Sequence, residues 1–324
     1  MITRKEKLLW IFYGAILVLL FLLSSTDLII KEQKTEVYPL SVIIDDISDS
    51  NYVNFRKGMD RAAVELNADV SFISLYEEND EGQQLELLMR EQQDGAKALI
   101  IAPVEEKAVE EFIAQKRITV PTVLVGAELS ANKASAVVTT DYCGMGQAMA
   151  EKIVGRYDPA IPVYLLEGMR ENAMTRSFEK GIRTGLSGAG FNMALIQKQD
   201  EETFRNAMEE LANKKEQDAV IIALDPKSLQ EAAEILDEGG AYSSHIKGLY
   251  GRGTTIPILN YLDKGVVSGV CVTDDFSAGY LSVKRAVEAV MGRSPDKQTL
   301  LESHYIEKTD LRQEQYEKML YPIE

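Results

Sequence analysis

Hydrophobic and polar positions follow two regimes along the 324-residue chain. From Leu8 to Thr26 the run LLWIFYGAILVLLFLLSST carries no charge. Its nineteen residues approach the roughly 20 that a helix needs to span a bilayer. From residue 40 onward, short apolar and β-branched runs alternate with longer amphipathic stretches. LSVII, VSFISL, ALIIAP and PTVLVG read as buried strands, and the segments starting near Asn51, Glu81 and Glu105 read as helices. A second series follows, PVYLLEG, FNMALIQ, DAVIIAL and HIKGLYG, with helical stretches after Glu171, Glu201, Pro226 and Thr254. A last strand, VVSGVCVT, leads into the amphipathic helix SAGYLSVKRAVEAVM. Strands alternating with helices predict parallel sheets covered on both faces, and four strands per series predict two similar lobes.

The apolar run sets the topology. Arg4, Lys5 and Lys7 outnumber Glu6 before it, so the positive-inside bias keeps residues 1–7 cytoplasmic and sends the rest outside. A cleaved secretory signal has the same charge pattern. The end of the run offers no clean small-x-small cleavage site, because Leu22 and Leu23 spoil the best registers around Ser24, Ser25 and Thr26. No cysteine follows that could carry a lipid. The expectation is an uncleaved signal anchor over residues 8–26 and a linker over 27–38.

Charge narrows the partners. Lys plus Arg is 35 and Asp plus Glu is 51, a formal charge of -16. Such a surface repels phosphate backbones, which argues against nucleic acid. Cys143 and Cys271 are the two cysteines, and their separation in sequence leaves pairing open. Cys271 sits in an apolar run, where a thiol acts as a small hydrophobe. With His245 and His304 they show no metal-ligand spacing, so no metal is expected. No nucleophile, base and orienter stand at motif spacing, so no catalytic residue is assigned and no enzyme is expected.

Four segments, LSVIIDDISDSNYVNFRKGMDRAAVELNADV, GAKALIIAPVEEKAV, IPVYLLEGMRENAMTRSFEKGIRTGL and YIEKTDLRQEQYEKML, give the chain a resemblance to the periplasmic sugar-binding proteins related to the ribose and galactose receptors. It covers nearly all of residues 40–318. The resemblance implies an α/β fold: two Rossmann-like lobes with parallel sheets, joined by a three-crossing hinge and preceded here by one transmembrane helix. The first lobe is then 39–139 plus 274–292 and the second 140–273 plus 293–324. It also implies a small ligand, a sugar, held between the lobes with no cofactor.

Carried over position by position, the resemblance makes Asp45 and Asp49 acceptors for ligand hydroxyls and Tyr52 a ring that stacks on a sugar face, with Asn51 where an aromatic is usual. Asp49 can equally cap the helix behind it. Arg176 takes the place of an arginine that binds hydroxyls from the second lobe, its fork of donors suiting adjacent oxygens. Asp225 takes a polar contact position, although Asp225-Pro226 also reads as an N-cap with a first-turn proline. The pattern departs from that of ribose receptors at Gly126 and Ala127 in place of Asp-Arg, at Ala102 in place of Asn, at Tyr250 near a usual Asp and at Thr273 near a usual Gln. Changed partners mean changed specificity.

The expected function is a membrane-anchored, extracytoplasmic solute-binding protein. With no transporter spans or kinase motifs of its own, it needs a membrane partner, either a sensor kinase or a permease of the ATP-binding-cassette class. A lactose-repressor-like effector domain lacking its DNA-binding part and a static membrane adaptor are the alternatives. The anchor is directly testable: the expressed protein should stay in the membrane fraction with its full N-terminus, whereas Edman sequencing of a soluble product starting near Ser25 to Leu28 would establish cleavage.

Overall fold

The computed structural model describes residues 3–25, 36–77, 79–127, 133–168, 172–198, 203–213, 218–239 and 244–322. The chain divides into two compact units, residues 1–37 and 38–324. The first holds one helix, α1 (Arg4–Ser25), whose 22 residues make a rod about 33 Å long at 1.5 Å per residue. Its large apolar side chains are exposed all round, Trp10 and Phe21 by more than two thirds. By length and composition it is able to cross a membrane. Most of the expected linker lies outside the described residues.

The second unit begins with β1 (Tyr38–Ile43), α2 (Val53–Leu66), β2 (Ala68–Ile73), α3 (Glu81–Gln93), β3 (Ala98–Ile101), α4 (Glu106–Ala114), β4 (Thr122–Val125) and β5 (Ala136–Thr140). There follow α5 (Tyr142–Val154), β6 (Val163–Glu167), α6 (Ala173–Gly188), β7 (Met193–Gln197), α7 (Arg205–Asn213), β8 (Ala219–Ala223), α8 (Pro226–Asp237), β9 (Ile246–Arg252), α9 (Ile256–Lys264) and β10 (Gly269–Thr273). The chain ends with α10 (Asp275–Val290), β11 (Gln298–Leu301), β12 (Ser303–Ile306) and α11 (Glu314–Leu320). Two six-stranded sheets result, ordered β11-β5-β4-β3-β1-β2 and β12-β10-β9-β8-β6-β7. The pairings are parallel except for β12, which runs antiparallel to β10. Two α/β lobes are thus present, as the alternation predicts.

The main chain passes between the sheets after β5, after β10 and between β11 and β12. The third passage corrects one expected boundary. Residues 298–301 do not belong with the second lobe, because β11 pairs in parallel with β5 from Gln298 to Leu301 and extends the first sheet. Strands β5, β11 and β12 also raise the count from four per lobe. All three are short, and β11 and β12 are edge strands, so they leave little periodicity to read.

Alternation along each strand feeds two cores per lobe. In β1, Leu40 and Val42 join Phe55, Met59, Val283 and Val287 on one face, while Ile43 meets Leu88, Leu99 and Val109 on the other. Each such aliphatic side chain contributes roughly 1.5–3 kcal/mol when fully buried. Gln84 of α3 is one of the buried polar side chains of the first lobe. It is buried, its Nε2 donates to the carbonyls of Ile44 (3.2 Å) and Ala102 (2.8 Å), and its Oε1 accepts from Val104 N (2.9 Å). One amide therefore fixes the loops that leave β1 and β3. At the other end, Leu320 packs in the second lobe's core, while Asn54 and Lys57 of α2 donate to the carbonyls of Leu320 (3.2 Å) and Pro322 (3.1 Å).

Two helices pack on the lobe opposite to the strand they follow. Helix α10 leaves β10 of the second sheet and packs on α2 of the first lobe; α5 leaves β5 of the first sheet and packs on α6 of the second. Both pairs close on glycines. A Cβ on Gly279 would lie 1.9 Å from the Phe55 carbonyl oxygen, and one on Gly58 1.9 Å from that of Phe276. In the other pair, a Cβ on Gly146 would meet the Phe178 carbonyl at 2.2 Å and one on Gly181 that of Cys143 at 2.0 Å. The contacting atoms are main chain, so no side chain can swing aside. Gly279→Ala should therefore lower unfolding stability by about 1–3 kcal/mol through overpacking, whereas Gly188→Ala, with nothing within 4 Å, should be neutral or slightly stabilising in the same urea titration.

Candidate functional site

Parallel strands followed by helices leave their carboxyl ends open, and both sheets turn those ends toward one cleft. The cleft holds a cavity of about 250 Å³, near the small end of the ~300–1,000 Å³ usual for small-molecule sites. From the first lobe it is lined by Asp45 and Asp46 after β1, Ala102 after β3, Val125 and Gly126 at β4, and Thr139 and Thr140 of β5. From the second it is lined by Gly168, Lys198, Asp225, Arg252 and Thr273. The crossing helices contribute their first residues, Tyr142 and Asp275.

Two carboxylates lie deep. Asp45 accepts a hydrogen bond from the Tyr52 hydroxyl at 2.7 Å, and burial outweighs that bond, holding its carboxyl above the usual range. Asp275 accepts from Thr273 Oγ1 at 2.6 Å and from Thr254 Oγ1, and burial raises it likewise. Arg252 stands close enough to favour the charged form of Asp275. Its guanidinium donates to the Leu224 carbonyl (2.9 Å) and to Thr175 Oγ1 (3.2 Å) and lies 5.5 Å from the centre of the Tyr142 ring. The Tyr142 hydroxyl is pushed up to about 12, chiefly by burial. Thr139 adds a buried hydroxyl with no hydrogen-bond partner.

The lobes touch across this cavity. Lys227, in the first turn of α8, places Nζ 2.9 Å from Oδ1 of Asp46 on the other lobe. Met174, at the start of α6, reaches the loop after β4, its Sδ 2.6 Å from where a Cβ on Gly126 would sit. Gly126 has φ +70°, a left-handed conformation that favours glycine.

Of the residues expected at the site, Asp45, Asn51, Tyr52, Asp225 and Thr273 line the cavity. Tyr52 does so with its ring edge-on to Phe55 and Phe72, and Asn51 Nδ2 donates to Asp46 at 3.3 Å. Asp225 caps α8, accepting from Ser228 N (2.9 Å) and Ser228 Oγ (2.6 Å), and also accepts from Gly168 N (3.1 Å) in the loop after β6.

Asp49, Arg176 and Tyr250 are not among the lining residues. Asp49 pairs with Arg56 and makes no capping bond. Arg176 is one residue, about 100° of helix, past the lining residue Thr175. Tyr250 is buried beneath the second sheet, its hydroxyl 2.9 Å from that of Tyr157 and 3.2 Å from Arg156 Nη1. Two residues on, and so on the same face of β9, Arg252 reaches the cavity. A basic residue closing a buried strand, LYGR, was the signal for it. The two cysteines are free, Cys271 buried among apolar neighbours and Cys143 half-buried.

The fold is that of solved two-lobed binding proteins. The chain is similar to GanP, a glucose-galactose binding protein from Geobacillus stearothermophilus, with 17% identity, a TM-score of 0.74, and coverage of 86% of this chain and 99% of the other. It is similar to a carbohydrate-transporter solute-binding protein from Agrobacterium radiobacter solved with D-arabinose, with 16% identity, a TM-score of 0.77 and coverage of 87% and 98%. It is also similar to a chain in the complex of the TorS sensor domain with TorT, with 18% identity, a TM-score of 0.73 and coverage of 88% and 98%. No curated protein matches by sequence. The model of the periplasmic binding protein domain matches residues 40–294, and with that match across most of its length the chain belongs to the periplasmic binding protein family, whose members bind their ligands rather than transform them.

Proposed function

We propose that this protein is an extracytoplasmic receptor for a carbohydrate, held at the membrane by α1, that closes on its ligand and reports to a membrane sensor kinase. The cavity carries the reading. Buried carboxylates on the first lobe and crossing helix, the Arg252 guanidinium, and threonines from both lobes form a donor and acceptor set suited to a polyhydroxylated ring. The membership of residues 40–294 in a periplasmic binding family supports an extracytoplasmic location, as does the charge asymmetry around α1. Two of the similar structures are named for glucose and galactose and for arabinose.

The output side rests on different support. A helix able to span a membrane allows lateral pairing with a partner's helix, and one similar structure is a sensor-domain complex. Delivery to an ATP-binding-cassette permease is the other outcome. The neighbouring genes separate the two: a histidine kinase gene supports sensing, and permease with ATPase genes support uptake.

Ligand can favour closure only by binding the closed state more tightly. Contacts shared between Asp45 or Tyr52 on one lobe and Arg252 or Thr273 on the other supply that difference. Solution scattering from residues 38–324 should therefore show a smaller radius of gyration when a binding sugar, found by thermal shift in a panel of aldopentoses and aldohexoses, is saturating. An unchanged radius with a sugar shown to bind removes the closing mechanism and leaves a static adaptor.

Arg252→Met should weaken that sugar by about ten- to a hundredfold in calorimetry, since a charge-assisted hydrogen bond contributes roughly 1.5–3 kcal/mol. The melting temperature of the sugar-free variant checks its folding. Arg176→Ala should change affinity little; a comparable loss there would return the second-lobe guanidinium role to α6.

A further inference from the structure

The first lobe's side of the cavity is not uniformly polar, and its sheet order shows where the polarity stops. Across the carboxyl edge in the order β5, β4, β3, β1, the lining side chains are Thr139 and Thr140, then Val125 and Gly126, then Ala102, then Asp45 and Asp46. Among the described residues, the two middle strands offer no polar side chain to the cavity. Neighbouring strands lie ~4.8 Å apart, so this apolar patch is at least a methyl group wide.

The main chain of the patch is committed too. Ala102 N donates to the Ile43 carbonyl at 3.0 Å, and its own carbonyl accepts from Gln84 Nε2 at 2.8 Å. Gly126 N donates to the Val138 carbonyl at 3.0 Å. From the opposite lobe, the Met174 thioether occupies the space that any side chain at Gly126 would need. A ligand hydroxyl set against these atoms would leave water and find no free N–H donor at Ala102 or Gly126, and as acceptors only the weak Met174 thioether and the second lone pair of the Ala102 carbonyl. Beside the patch on β5, the Thr139 hydroxyl is buried and without a partner among the described residues, and on the other side Asp45 accepts from the Tyr52 hydroxyl.

We propose that the ligand is a deoxy or methyl-bearing sugar: its non-hydroxylated carbon seats on Ala102, Val125, Gly126 and Met174, and its remaining hydroxyls meet Asp45, Asp275, Arg252 and Thr139. The proposal rests on the carbohydrate reading and narrows it. Met174 is a specificity-determining residue in this scheme, because it seals the patch only when the lobes meet, and a thioether adapts its shape to an apolar neighbour. An apolar pocket rejects an analogue bearing an added hydroxyl by up to about 10²-fold.

Calorimetry on the full chain in detergent micelles, with matched pairs, tests it: L-rhamnose against L-mannose, D-fucose against D-galactose, L-fucose against L-galactose, and 2-deoxy-D-ribose against D-ribose. At least one deoxy sugar should bind tenfold or more tightly than its hydroxylated partner. Met174→Gln, which brings a donor and an acceptor to the patch, should cut that ratio about tenfold, while Met174→Leu should keep it. If the hydroxylated member binds as well or better in every pair that binds, or if Met174→Gln leaves the ratio unchanged, the apolar seat is overturned and the carbohydrate reading stands. If neither these sugars nor a wider panel of aldoses and polyols binds, the carbohydrate reading falls and takes this inference with it.

Discussion

In both lobes a helix that follows a strand of the other sheet is held by main-chain contact at glycine. Helix α10 settles on the first lobe where Gly58 and Gly279 each leave room for a carbonyl of the partner helix, and α5 settles on the second where Gly146 and Gly181 do the same. Such contact fixes the distance between helices to within a few tenths of an ångström, since one methyl group does not fit. The cavity depends on this. Asp275 and Tyr142, the first residues of those two helices, are part of its wall, so the packing that ties each crossing helix to its lobe also sets two of the site's groups.

The cleft then follows from the sheets. Helices cover both faces of each, and the open strand ends become the place where polar groups can meet a ligand. Buried carboxylates there are costly unless they find donors. Tyr52 serves Asp45, and Thr254 and Thr273 serve Asp275. Those donors hold the side chains in place while burial keeps both carboxyls above their usual range, which suits them to accept from hydroxyls or to donate when protonated. The Lys227–Asp46 pair ties the lobes together by joining a half-exposed ammonium to a buried carboxylate. It can bias closure without preventing opening.

Specificity has a separate origin from fold. The residues that pack each lobe include glycines, aliphatics and the buried Gln84; of the residues that differ from the ribose-receptor pattern, Ala102 is itself buried in the first lobe's core, and both Ala102 and Gly126 line the cavity at strand ends. In the proposed reading, exchange at these cavity-lining positions changes which ligand groups find partners. Met174 belongs to this set although it lies on the opposite lobe, because it occupies the volume that Gly126 leaves open.

Much of the fold was legible in local pattern. Runs such as LSVII and DAVIIAL could only be buried strands, and Asp225-Pro226 marked a helix start that the structure shows with its capping bonds. Strands β11 and β12 were not legible, because short edge strands are defined by their partners, and neither was the short interior strand β5. Asp45, Asn51, Tyr52 and Thr273 could be placed near a cleft because they sit in loops or at strand ends whose position the fold dictates. Arg252 could not be preferred over Arg176 from sequence, since that choice turns on which step of α6 faces inward and on where β9 ends. The sequence alone determined most of the strands and helices and the apolar N-terminal span, which depend on periods of a few residues. Tertiary structure alone decided which lobe receives β11, which guanidinium reaches the cavity, and that Met174 meets Gly126, because each of these joins residues tens to hundreds of positions apart.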